Sequence, residues 1–391
     1  MTEESHPTDV RMSYRDPLVE KLRAEGRMQI GRLQLLLPQS FGFCWGVDRA
    51  LAMVEEARQE HAGRRMWLLN SLIHNPRVNA DMRAHGIGFL KGEHAVEGAL
   101  DSLTQDDVVI VPAFSAEVED MQALEERGVD LVDTTCPWVI KPHKRTLKYL
   151  REGFTTVIHG TVGHDETRAT CSLVQHEGGH YVVVHDLREA GALAEFLRGK
   201  IALEELQRSL HPEAFSPGFD AAQHLAQIGI INQTTMLASE SRAIGDLLRQ
   251  ALIERDGEAG LEQSFRDFDT ICRATQDNQD AAIAVIDEQP DLYLVVGGYD
   301  SSNTKNLARV GDAQGIPSYH VEGPDNLGEV LSFRERQSGE IHQVRDWLPG
   351  EGPLKVAFTA GASTPDTILG RVIRRVAELA GESLPEPQLT V

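Results

Sequence analysis

A chain of 391 residues with 41% hydrophobic content is long enough for two or three buried cores. Its net charge of −22 excludes non-specific binding to nucleic acid, which needs a basic surface; a small anion can still be held by backbone N–H groups, hydroxyls and imidazoles. No run of about 18 apolar residues occurs, so no membrane helix is expected. The polar opening MTEESHPTDVRMSYRDP lacks the apolar stretch of a signal peptide, which points to a cytoplasmic protein.

In chain order, residues 1–31 read as a weakly ordered N-terminal extension. Cys44 is followed by WGVDRALAMVEEARQE, whose apolar residues recur at helical spacing. The run MWLLN (66–70) then reads as a buried strand that ends in the polar cluster SLIHNP, and VVIVPAFSAE (108–117) as a second strand and cluster. The pattern repeats after Cys136, where Pro137 suits a first helical position. TTVIHG (155–160) leads into GHDET, and IGIINQTTM (228–236) follows. After Cys272 come the helical RATQDNQDAAIAVIDEQ, the strand LYLVVGG (292–298) with DSSNT, and KVAFTAGAST (355–364).

Spacing supports a repeat. His74 lies 30 residues after Cys44, His164 lies 28 after Cys136, and Ser302 lies 30 after Cys272. DTTC at 133–136 returns as DTIC at 269–272. The expected organisation is therefore three related α/β units: 32–135, whose first strand is a candidate to join the third unit, 136–271 with an insertion near 195–226, and 272–391. Strand, polar loop and helix in succession are also the ordinary grammar of unrelated α/β proteins; the three similarly spaced cysteines favour repetition.

Each of those cysteines is expected in a turn at a helix N-terminus, where the dipole favours a thiolate. Three thiolates with no fourth protein ligand suit an iron–sulfur cluster with one open iron. Zinc in a mixed Cys/His shell is an alternative, although usual zinc spacings are shorter. No CxxC pair exists, and disulfides are not expected in a chain without a signal peptide. Cys171, in TRATCSLV, breaks the pattern and reads as a structural thiol.

The motifs GFCWGVDRA, IHNPRVN, DTTCPW, GHDET, NQTTM, DTICRATQ, GGYDSSNT and TAGASTPD run in order from residue 42 to 366. Together they resemble the LytB family of 4-hydroxy-3-methylbut-2-enyl diphosphate reductases. PAF at 112–114 and the segment around 195–226 resemble its chloroplast and cyanobacterial branch. The resemblance implies a pseudo-threefold trefoil of three α/β domains around a central [4Fe–4S] cluster, with Cys44, Cys136 and Cys272 as its ligands. It implies Glu166 as the proton-delivering glutamate and Thr234 as a threonine that holds the network around the substrate hydroxyl. His74, His164, Ser301, Ser302, Asn303 and Ser363 would contact the substrate diphosphate. The implied reaction removes the substrate hydroxyl as water with two electrons and two protons. The electrons would come from ferredoxin or flavodoxin.

One position departs from the family. Where many members carry a histidine in F-S-A-H-G, residues 114–118 here read FSAEV. An ionised Glu117 would repel a diphosphate, so either it is expected to point away, or the loop is expected to be repositioned with its backbone or Ser115 serving instead. A dinucleotide site is disfavoured, since no G-x-G-x-x-G follows the first strand. Two other readings compete: a zinc or iron hydrolase, marked by metal without sulfide, and an iron–sulfur sensor, marked by a cluster without turnover. An acidic donor would need a local basic patch on this acidic chain, and Lys141, Lys144 and Arg145 are the candidates.

Overall fold

The computed structural model describes residues 14–335 and 339–384. The described residues divide into two compact units, one formed by residues 14–63, 71–88, 273–335 and 339–384, the other by 64–70 and 89–272. Among the described residues, no helix is long and apolar enough to cross a membrane.

The first unit is built on a five-stranded sheet in the order Arg27–Ile30, Leu33–Leu36, Leu354–Ala360, Leu292–Val296, Ser318–Val321. Only the first pair is antiparallel. Leu33 stands opposite Leu354, so the strand at residues 33–36 lies in the same sheet as those of the third repeat. Leu292–Val296 is buried at every position, as a central parallel strand covered on both faces must be. Leu292, Leu294 and Val296 join a core with Leu369, Val372, Ile373 and Val376 of the helix Asp366–Leu379. Tyr293 faces the helix Ser302–Ala313, where Gly311 leaves room for its ring.

The expected weakly ordered extension at 1–31 is corrected from residue 14 onward; residues 1–13 lie outside those described. Asp16 caps a helix over Pro17–Glu25, accepting from the Leu18 and Val19 N–H groups, with Pro17 preset for the first turn. Val19 and Leu22 are fully buried in the sheet core. A bidentate ion pair from Arg374 to Asp16 fixes the helix start. A hairpin of Val330–Arg334 with Ile341–Arg345, unforeseen in the sequence, is held to this core by Leu331 and Trp347.

The second unit contains two parallel sheets. Met66–Leu68, Val108–Val111 and Asp130–Asp133 pair in parallel in one, a four-stranded sheet with Gly88–Phe89 at its edge. Phe265–Asp267, Ile228–Asn232, Thr155–His159 and Tyr181–Val184 form the other. No compact-unit boundary falls at the expected 135/136 junction. The helix Val118–Arg127 of the first sheet is stitched to the helix Asp165–His176 of the second by Ser172, whose hydroxyl accepts from Val118 N (2.7 Å) and donates to Glu119 Oε2 (2.6 Å). Residues 195–226, read as an insertion, contribute Leu206, Leu210, Ala214, Ala221 and Leu225 to the second sheet's core. Half-buried Cys171 packs against the same core, and burial pushes its thiol up to about 12, which suits a structural role.

Candidate active site

The three repeated cysteines are anchored in the same way. Cys136 N–H donates to the Ala113 carbonyl (2.9 Å), Cys272 N–H to that of Thr234 (3.1 Å), and Cys44 N–H to that of Ala362 (3.2 Å). Each acceptor lies two residues past the end of a parallel strand: Val108–Val111, Ile228–Asn232 and Leu354–Ala360. Side chains close two of these turns. Asp133 Oδ1 accepts from Thr135 N, and Asp269 Oδ1 from Ile271 N, both at 2.9 Å. The Thr134 and Thr270 hydroxyls donate to the strand-terminal carbonyls of Val111 and Asn232, both at 2.6 Å. The repeated Asp-Thr-x-Cys is thus an aspartate turn plus a threonine peg, placing a thiol where a strand hands over to a helix.

Cys44 and Cys136 are the N-cap residues of Trp45–Glu60 and Pro137–Arg151 and have extended backbones; Cys272 directly precedes Arg273–Ile286. All three thiols therefore sit at the positive ends of helix dipoles. Their donor chemistry, three sulfurs at such ends, fits an iron–sulfur cluster. Among the described residues, no group of three or more His, Cys, Asp or Glu is arranged to hold a single metal ion. A four-iron cube differs, because it takes each thiolate on a separate iron.

In the second unit Glu166 lies on the first turn of Asp165–His176 and is almost fully buried. Thr234 donates to both of its oxygens, from N–H (2.7 Å) and from the hydroxyl (2.9 Å). Burial nonetheless prevails over these two bonds and pushes the carboxyl up to about 7. Since the Thr234 carbonyl also accepts from Cys272 N–H, acid, hydroxyl and thiol are linked through one residue. His164 caps the same helix, its Nδ1 accepting from Glu166 N–H (3.2 Å). That bond places the neutral ring's proton on Nε2, where it can be donated. Gln233 and Thr167 were missed in the sequence reading. Gln233 Oε1 accepts from Thr161 N and Thr167 Oγ1, tying the Glu166 loop to the Thr234 loop; the NQTTM motif was the available signal.

The first unit gathers the expected anion donors. Ala362 N–H donates to Asn303 Oδ1 (2.9 Å), and the Ala362 carbonyl accepts from Cys44 N–H. Next to it, Ser363 Oγ donates to the His74 carbonyl (3.2 Å). Gly298 is required there, because a Cβ would come within 2.5 Å of that carbonyl oxygen. Ser301 caps Ser302–Ala313, its hydroxyl accepting from Thr304 N–H. Ser301, Ser302 and Asn303 are buried, and Asn303 Nδ2 has no hydrogen-bond partner among the described residues. A buried donor left over in this way fits a site that binds an anion.

Glu117 does not present a bare charge. It forms an ion pair with Arg168, on the helix of His164 and Glu166, which neutralises it. Ser115 beside it has a left-handed backbone (φ 76°), and Phe114 meets the His164 ring edge-on at 6.3 Å.

Ligands of parallel α/β proteins bind at the carboxyl ends of strands, and a buried acid poised near neutrality there marks an enzyme. Comparison with known families narrows this class. The model of the LytB protein family matches residues 35–377, and the chain belongs to that family. A curated relative from Synechococcus sp. (strain CC9311) is 41% identical over 369 residues, covering 94% of this chain and 91% of the relative. One from Gloeobacter violaceus (strain ATCC 29082 / PCC 7421) is 40% identical over 380 residues, covering 95% and 89%. Both are named 4-hydroxy-3-methylbut-2-enyl diphosphate reductase. A solved reductase described as the terminal enzyme of the non-mevalonate pathway shares the fold at a TM-score of 0.52 and 24% identity, over 88% of this chain and 99% of its own. The Plasmodium falciparum reductase does so at 0.64 and 19%, over 88% and 87%.

Proposed function

We infer that the protein carries out the reaction for which its relatives are named, the reductive dehydration of 4-hydroxy-3-methylbut-2-enyl diphosphate to isopentenyl and dimethylallyl diphosphate. It is an oxidoreductase of isoprenoid synthesis. The reaction consumes two electrons and two protons and releases the hydroxyl as water. Cys44, Cys136 and Cys272 are the proposed ligands of a [4Fe–4S] cluster. When bound, such a cluster supplies single electrons and a Lewis-acidic iron for the substrate hydroxyl.

The observation that carries the reading is the buried Glu166, held by Thr234 beside the anchor of Cys272. With its carboxyl near 7, about half of the Glu166 population carries a proton at neutral pH, and that form delivers it as the hydroxyl leaves. The Thr234 hydroxyl fixes the orientation of that carboxyl. His74, Ser301, Ser302, Asn303 and Ser363, with His164 Nε2, serve as hydrogen-bond donors to the diphosphate, so the acidic chain needs no lysine or arginine there. Electrons arrive from a protein donor, ferredoxin or flavodoxin, in the cytoplasm. Anaerobic purification tests the reading: iron and acid-labile sulfide in near-equal amounts are expected, with conversion of the diphosphate substrate driven by reduced methyl viologen. Zinc without sulfide, or a cluster without conversion, overturns it.

A further inference from the structure

The helix Pro137–Arg151 begins at Cys136 and has two unlike faces. Val139, Pro142, Thr146 and Tyr149 are buried. Opposite them, Lys141, Lys144, Arg145, Lys148 and Arg151 recur at helical spacing and line a groove of about 630 Å³. Its aromatic floor is Trp138, an exposed large apolar side chain, and Phe268. Arg145 stacks on the Phe268 ring at 3.6 Å, and Lys141 lies 5.0 Å from the same ring and 5.4 Å from that of Trp138. Lys141 also donates to the Asp269 carbonyl (3.3 Å) in the turn before Cys272. Among the described residues, Lys148 reaches Glu152 at 3.6 Å, whereas Lys141, Lys144, Arg145 and Arg151 form no ion pair.

These cations make one face locally basic on a chain of net charge −22, which suits it to an acidic partner. We propose that the groove formed by Trp138, Phe268 and the basic face of the Pro137–Arg151 helix is the docking surface for an acidic one-electron carrier protein. This deepens the reading above, which needs electrons from a protein. A compact acidic protein meets chiefly the charges within a Debye length, about 8–10 Å, so the local patch outweighs the distant acidic surface. A long nucleic acid would run beyond the patch and meet repulsion. Aromatic side chains ringed by basic ones are also the composition of protein–protein contact centres.

The test uses anaerobically purified holoenzyme and two reductants: a reduced acidic plant-type ferredoxin and reduced methyl viologen, a small cation that needs no docking surface. The variant K144E/K148E is compared with wild type and with R83E/R208E, which alters net charge equally elsewhere. Ferredoxin binding, followed by tryptophan fluorescence, and ferredoxin-driven kcat/KM should both fall about tenfold or more in K144E/K148E at low salt. Viologen-driven turnover should not change, and the difference should shrink at high salt. Unchanged ferredoxin binding in K144E/K148E overturns the proposal, as does an equal loss in R83E/R208E. Tighter wild-type binding of duplex DNA than of ferredoxin, lost in the variant, reassigns the surface to nucleic acid. If wild type lacks even viologen-driven turnover, the reaction assignment fails, while the binding measurement still decides the docking surface.

Discussion

The turns of Cys136 and Cys272 differ from that of Cys44 in what holds them. An aspartate and a threonine close the first two. At Cys44 the corresponding positions are Phe41 and Gly42, and the Gly42 N–H reaches the Ala360 carbonyl (3.0 Å) through a left-handed backbone (φ 72°). Yet each cysteine N–H finds the carbonyl two residues past a strand end. Thiol placement is therefore a backbone property that either side chains or a glycine can enforce. If the three turns are equivalent in function, they should fail alike when the sulfur is lost and unlike when the support is altered.

The largest effect expected is from the sulfurs. Alanine at Cys44, Cys136 or Cys272 should lower turnover by more than about 100-fold, beyond the cost of an outer-shell change, with iron and sulfide content falling in step. A C44A protein with full iron and activity would break the equivalence. Next comes the acid linked to only one of the turns. E166Q should lower kcat by about 10²–10⁴-fold. Wild-type kcat, which requires the protonated acid, should be level below pH about 7 and fall above it. The folded state retains a proton that unfolded glutamate releases near pH ~4.3. Stability should therefore decline as pH rises from there to about 7, and E166Q should remove that slope.

Smaller effects separate the supports. Thr270 Oγ accepts from Asn232 N and donates to Asn232 O, so T270V leaves two buried groups unpaired and should cost about 2–3 kcal/mol in urea unfolding. G42A forces a left-handed alanine and should cost about 1–2 kcal/mol. At Thr134 the Val111 carbonyl keeps the Thr134 N–H (3.2 Å) as a second donor, so T134V should cost about 1 kcal/mol. A costlier change at Thr134 than at Thr270 would show that the two Asp-Thr-x-Cys turns are not interchangeable.

Where side chains make the structure, the sequence was readable. Asp133-Thr134 and Asp269-Thr270 announced a common turn, and the strands at 66–68, 155–159 and 292–296 followed as expected. Gly42 does the same work without a side chain, so the third turn showed only in its spacing. Glu166 could equally have been a solvated loop acid; the burial that raises its carboxyl, and its Thr234 partner 68 residues away, come only with the fold. The Asp16-Pro17 start signal was present but hidden by its polar surroundings. The strands Val330–Arg334 and Ile341–Arg345 went unseen because most of their residues remain partly exposed and lack an alternating pattern.

The pairing of Leu33–Leu36 with Leu354–Ala360 has a consequence for biosynthesis. The two strands are separated by roughly 320 residues, and at ribosomal rates of about 5–20 residues per second the earlier strand waits roughly 15–65 s for its neighbour. During that interval a nascent chain must carry the apolar LQLLL stretch with only Arg27–Ile30 paired to it, one side of the strand still open. The first sheet begun would be completed late, so synthesis of Leu354–Ala360 and Ala362, rather than emergence of Leu33–Leu36, would set the moment at which Cys44 acquires its anchor.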